Sequence, residues 1–141
     1  MSRSADIGTV RSDTGFNEWE ALKAVTQDTR ANLITDIVGH PKGMPSMKEL
    51  EYMNPSVSRS TISGHLDTLI DVGVVDTVEF PPGERPARDL PYTFYYLTDD
   101  ARELFDRNNL FDEGIWRDTY AQVRTTDEID AAEAVTRPHI G

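Results

Sequence analysis

The stretch Pro81-Pro82-Gly83-Glu84-Arg85-Pro86-Ala87-Arg88-Asp89 excludes regular secondary structure over nine residues, because three prolines remove amide donors and fix the backbone where a ladder or helix needs both. On either side the composition turns β-branched and aromatic, Val74 to Phe80 before it and Tyr92 to Leu97 after it, the mark of extended chain. Together these segments predict a β-hairpin with a long, stiff tip. Tyr92, Phe94 and Tyr96 alternate along its second arm and read as packing residues rather than a ligand cage.

Helix signals surround the hairpin. Asn17-Glu18-Trp19-Glu20 has the form of a capping box and opens a first helix running to about Val25. Ala31, Leu33, Ile34, Ile37 and Val38 follow Asp28 at spacings of three and four, predicting a second helix closed by Gly39 and Pro41. Ser46-Met47-Lys48-Glu49 is another capping box and starts a third, two-turn helix ending at Asn54-Pro55. Ile62, Leu66, Leu69 and Ile70 form one apolar stripe of a fourth helix that stops near Gly73, with Ser60, Thr61, Ser63, Gly64 and Asp67 on its other side. Thr98 caps a fifth helix, and Phe111, Ile115, Tyr120 and Val123 mark a sixth. The order predicts a mainly α fold with a small β-wing: a flexible lead-in at 1–14, one domain at 15–124, and an acidic tail at 125–141 with one helical turn at Ala131 to Ala134.

The chain of 141 residues is long enough for one core and short for a two-domain enzyme. No window approaches the roughly 20 apolar residues of a membrane span, and the first 14 residues lack the apolar core of a secretory signal, so no membrane partner and a cytoplasmic location are expected. Cysteine is absent, which removes disulfides, thiolate metal sites and cysteine nucleophiles. His40, His65 and His139 form no ligand-spaced pair, so no metal and no cofactor are expected. Asp99/Asp100 and Asp127/Glu128 read as helix-cap and tail charges rather than acid/base dyads, and no nucleophile stands at a workable spacing from a base, so the chain is not read as an enzyme.

Net charge is −11, which at ordinary ionic strength argues against a nucleic-acid partner. However, 11 of the 14 basic residues are Arg, and Asp (15) outnumbers Glu (10), a balance that resembles proteins of salt-accumulating archaea. In concentrated salt the Debye length falls to about 3 Å and the self-repulsion is screened. Charge therefore does not veto DNA binding. The local pattern favours it, since Pro55 to Leu66 holds no acidic residue although almost one residue in five elsewhere is acidic. Ser58, Ser60, Thr61 and Ser63 offer hydroxyls to phosphate oxygens there, Arg59 can meet a phosphate or a guanine edge, and Gly64 lets backbone approach another surface. Arg85 and Arg88 at the hairpin tip are placed to reach a neighbouring groove. His65 could touch phosphate but reads better as a satisfied or solvated side chain.

The run Ser58-Arg59-Ser60-Thr61-Ile62-Ser63-Gly64-His65-Leu66-Asp67-Thr68-Leu69, with Gly73-Val74-Val75 and Tyr95-Tyr96-Leu97-Thr98, resembles winged helix-turn-helix transcription regulators of the ArsR, MarR and PadR type, haloarchaeal ones in particular. The resemblance spans Ser46 to Leu104. It implies that Arg59, Ser60, Thr61 and Ser63 face double-stranded DNA, that Arg85 and Arg88 belong to the wing contact, and that the protein is a homodimer. The usual surplus of basic residues and the cysteine ligands of metal-sensing members are missing. Independently, Phe16, Trp19 and Leu22 at one end and Ile115, Trp116, Tyr120 and Val123 at the other exceed what a small winged domain is expected to bury, pointing to a dimer interface. Two recognition helices about 34 Å apart would favour a roughly palindromic operator, with solvent cations expected between protein carboxylates and phosphates. A winged-helix module that binds protein without DNA is the competing expectation.

Overall fold

Capping side chains set the helix boundaries in the computed structural model, which describes residues 15–140. The expected flexible lead-in at 1–14 lies outside them. Asn17 Oδ1 accepts the Glu20 N–H at 3.1 Å and starts α1, Glu18–Ala24. The second helix, α2, spans Asp28–Gly39 and is capped by Gln27, whose side chain accepts from the Arg30 N–H at 2.8 Å. Both halves of the Ser46/Glu49 capping box are formed at α3, Met47–Met53. Ser58 takes the Thr61 N–H and starts α4, Arg59–Asp71.

The end of α4 is a glycine stop. Gly73 adopts φ +77°, a left-handed conformation that side chains resist, and the Val74 N–H reaches back to the Leu69 carbonyl at 2.9 Å. Thr98 then ties this corner to the next helix: its hydroxyl donates to Gly73 O at 2.6 Å and accepts the Ala101 N–H at 3.1 Å, opening α5, Asp99–Arg107. Between them β1, Val75–Glu79, pairs antiparallel with β2, Thr93–Leu97, in the register Val75 opposite Leu97 and Glu79 opposite Thr93. The proline-rich tip holds one 3₁₀ turn, Pro82–Glu84, a single turn of order where none was expected. A short bridge of Ser46 to Phe94, with the Tyr95 N–H donating to Pro45 O at 2.9 Å, stitches β2 to the segment before α3.

The apolar stripe read from the sequence is the stripe that is buried. Ile62, Leu66 and Leu69 of α4 lie in the main core with Leu33, Ile34 and Ile37 of α2, Leu50 of α3, and Leu104 and Phe105 of α5. Each such side chain contributes about 1.5–3 kcal/mol on burial. Helix α6, Glu113–Ala121, packs along α2. The architecture is thus mainly helical with a two-stranded wing, as expected.

The C-terminal stretch differs from expectation. It is no loose tail with a single turn: Thr126 caps α7, Asp127–Ala134, and Ile129, Ala132 and Val135 are buried. A second small core forms where Val135 meets Met44 and the wing residue Phe94. The reason lies at Arg137, which binds deep in the domain and draws the segment with it.

Candidate nucleic-acid interface

Helix α4 is held by its inner stripe and presents its other face outward. Ser58, Arg59, Ser60, Thr61 and Gly64 are exposed and Ser63 is half-buried. Ser58 Oγ lies 2.9 Å from Thr61 Oγ1 and 3.3 Å from Ser60 Oγ, so three hydroxyls cluster at the start of the helix. Nothing lies within 4 Å of the position a Cβ would take at Gly64, so backbone is open to approach there. Helix α4 contributes no acidic residue of its own before Asp67. The nearest carboxylate to Arg59 comes from α3, Glu51 Oε1 lying 3.6 Å from Arg59 Nε.

The second arm of the wing shares a cleft with Arg59 of α4. Arg85 and Arg88 are both exposed, and the Arg85 guanidinium lies 3.9 Å from the centroid of the Tyr92 ring, a cation–π contact that fixes its direction. Between wing base and helices runs an open cleft of about 590 Å³, lined among others by Lys48, Arg59, Tyr92 and Tyr95. Lys48 Nζ donates to Asp89 O at 3.3 Å and lies 3.7 Å from Glu128. Lys48 and Tyr95 thereby join the candidate residues; in the sequence they appear only within a capping box and a strand motif, with no signal that they meet at a cleft. Burial, reinforced by Asp67 and opposed by Arg59, raises the Tyr95 hydroxyl pKa, so it stays a neutral donor beside the cleft.

His65 turns away from this surface. Its Nδ1 lies 3.2 Å from Arg30 Nη1, and Arg30 Nε donates to Ala24 O at 2.6 Å, so histidine and arginine link α4 to the end of α1. An arginine only donates, so Nδ1 is the acceptor. Asp99/Asp100 and Asp127/Glu128 occupy the first turns of α5 and α7, where negative charge favours the helix.

The residues expected at a dimer interface separate into two groups. Phe16 and Tyr120 are buried within the domain, contrary to expectation, because glycines open notches for them. A Cβ on Gly73 would come within 3.1 Å of the Phe16 ring, and one on Gly39 within 3.1 Å of Tyr120 Cβ. Tyr120 also meets the His40 ring edge-on. Leu22 and Trp116 are partly buried against the main core, and Val123 is half-buried. Trp19, 47% exposed, and Ile115, 61% exposed, remain on the surface.

A polar cluster that the sequence did not suggest lies under the wing. His40 Nε2 and Glu49 Oε2 are 2.6 Å apart with both side chains fully buried, and Arg137 Nη2 donates to Glu49 Oε1 at 2.8 Å. The Lys42 N–H points at His40 Nδ1 at 3.1 Å, which leaves Nε2 as the donor to Glu49. Burial works to raise the Glu49 carboxyl, but His40, the Ser46 amide and Arg137 together outweigh it and hold it below its ordinary value. His40, Glu49 and Glu133 place ligand atoms within 4.8 Å of one another. The Arg137 guanidinium already supplies the positive charge there.

Helix α3, a short turn and an outward-facing α4, followed by a two-stranded wing, define a winged helix-turn-helix protein. No family model matches the chain, and no curated protein matches it. The chain is similar to a solved structure of a protein with a GntR superfamily winged-helix-turn-helix domain from Halomicrobium mukohataei, at 30% identity over 94% of this chain and 93% of that one, with a TM-score of 0.77. By that similarity the chain belongs to the GntR-superfamily winged-helix-turn-helix proteins. Among the described residues no helix is long and apolar enough to cross a membrane.

Proposed function

We propose that the chain is a sequence-specific, DNA-binding transcription regulator that places α4 in the major groove and the wing tip beside it. One observation carries the reading: in a protein of net charge −11, the exposed start of α4 offers hydroxyls, Arg59 and open backbone at Gly64 without a carboxylate of its own. Among winged-helix proteins, the Ser58 to Leu69 pattern supports an ArsR, MarR or PadR-like recognition helix, and the Arg and Asp bias supports a halophilic archaeal source. We infer a cytoplasmic regulator without catalytic activity of its own.

The regulator works as a homodimer on a roughly palindromic operator. The exposure of Trp19 and Ile115, and the partial exposure of Leu22, Trp116 and Val123, support a two-fold contact smaller than the sequence suggested. Salt adaptation rests on carboxylates at the DNA face: Glu51 beside Arg59 and Glu128 beside Lys48 take up solvent cations when phosphates arrive, which flattens the usual loss of affinity with salt.

Gel mobility shift with fragments of its own promoter region in molar KCl tests the reading. A retarded band that Arg59→Ala weakens at least tenfold is expected. No shift with any genomic fragment, alongside capture of a protein partner through the same surface, would establish the protein-binding module instead.

A further inference from the structure

Arg137 is 6% exposed, and every nitrogen of its fork meets an acceptor. Nε donates to Met44 O at 2.9 Å, Nη1 to Ala132 O at 2.9 Å and Val135 O at 2.6 Å, and Nη2 to Glu49 Oε1 at 2.8 Å. Its guanidinium lies 4.3 Å from the centroid of the Phe94 ring. One side chain thereby joins α3, the wing strand β2 and the end of α7.

The wing needs such an anchor. Each of its strands is five residues long, and a two-stranded ribbon has little stability of its own in water. What it rests on sets its angle to the recognition helix. Its inner residues Phe94, Val78 and Phe80 rest on Met44 and Val135, whose backbone carbonyls accept hydrogen bonds from Arg137. A buried ion pair is weak evidence for stability, because an apolar plug of equal volume is often as stable. A planar fork adds direction, since its hydrogen bonds are satisfied in one arrangement only.

We propose that Arg137 is a positioning residue for DNA recognition: by clamping α3, α7 and β2 together it holds the wing, and with it Arg85 and Arg88, at a fixed angle to α4. This rests on the reading of the wing as a DNA contact. The C-terminal segment is then part of the DNA-binding head.

Arg137→Lys keeps a positive charge near Glu49 but cannot span the fan of carbonyls. Two measurements are made on the full chain. Hydrogen exchange of the Phe80 and Tyr95 amides is expected to accelerate at least tenfold in R137K, while the amides of α4 change less than twofold. In binding to the promoter fragment, the pair R85A/R88A is expected to lower affinity at least tenfold in the native background and less than threefold in R137K. If R137K does not fold, Arg137→Gln carries the same test, since Glu49 retains His40 and Ser46. Wing amides as protected as in the native chain overturn the proposal, as does an equal loss from R85A/R88A in both backgrounds. Should R85A/R88A be silent in the native background, the wing reading fails and the proposed role falls with it; accelerated exchange in R137K would mark that case apart from a failure of the clamp itself.

Discussion

Glu51 Oε1 lies 3.6 Å from Arg59 Nε, so a carboxylate of α3 stands where a DNA phosphate would compete for the same guanidinium. Exposed pairs of this kind are worth about 0–1 kcal/mol. Replacing Glu51 by Gln removes the competitor, and affinity for the promoter fragment is expected to rise about two- to fivefold, with a steeper loss of affinity as KCl increases. Fluorescence anisotropy at several KCl concentrations measures both. Unchanged affinity and slope would show that Glu51 plays no part at the DNA face.

Gly64 separates stability from function. It lies inside α4 with open space around its Cβ position. Gly64→Ala is expected to stabilise the helix by about 1 kcal/mol and raise Tm by roughly 3 °C. The same methyl stands between helix backbone and DNA, so affinity falls. A thermal melt and a binding titration on one preparation check the opposite signs.

Gly39 makes the reverse case. A Cβ there would stand 2.5 Å from Trp116 O, so Gly39→Ala pushes α6 off α2. Overpacking of this kind costs about 1–3 kcal/mol, and here a rigid backbone carbonyl resists relief. A fall in Tm of several degrees is expected by calorimetry; an unchanged melt would contradict the close packing of α6 on α2.

Asp36 gives the fold a pH dependence. It accepts from Asn54 Nδ2 at 2.7 Å, and burial, partly offset by that hydrogen bond, raises its pKa to about 7. A folded-state pKa above the unfolded value of 3.8 means that the folded state holds the proton more tightly. Its contribution to stability is therefore full below about pH 4 and is lost as pH rises to 7. Solvent at the edge of this partly exposed group reduces the roughly 4 kcal/mol that three pH units would carry to about 1–3 kcal/mol. Asp36→Asn keeps an oxygen acceptor for Asn54 and removes this loss. Urea unfolding at pH 5 and pH 8 is expected to show the variant more stable than the native chain at pH 8 by an amount that shrinks at pH 5.

Much of this was legible locally. Ser46 and Thr98 announce helices by chemistry within four residues, and Ile62, Leu66 and Leu69 reveal their buried face by spacing alone. The acid-free surface of α4 could be read because it depends on what that segment lacks. Helix α7 was legible only as one turn, since its few apolar residues find partners far away in the sequence, Arg137 reaching Glu49 and Met44 about 90 residues along the chain and Lys42 reaching the Glu133 and Val135 carbonyls. Phe16 and Tyr120 misled for a related reason. Their burial depends on notches at Gly73 and Gly39, and a sequence does not display a notch.

Which surface meets DNA can be read directly from the amides of the native chain. Backbone amide chemical shifts, followed while a duplex from the promoter region is added in concentrated KCl, test it residue by residue. The account predicts the largest changes at 58–64 and 85–88, with the amides around Trp19 and Ile115 unmoved by DNA. Changes centred on Trp19 and Ile115, or none at all with any duplex, would contradict it.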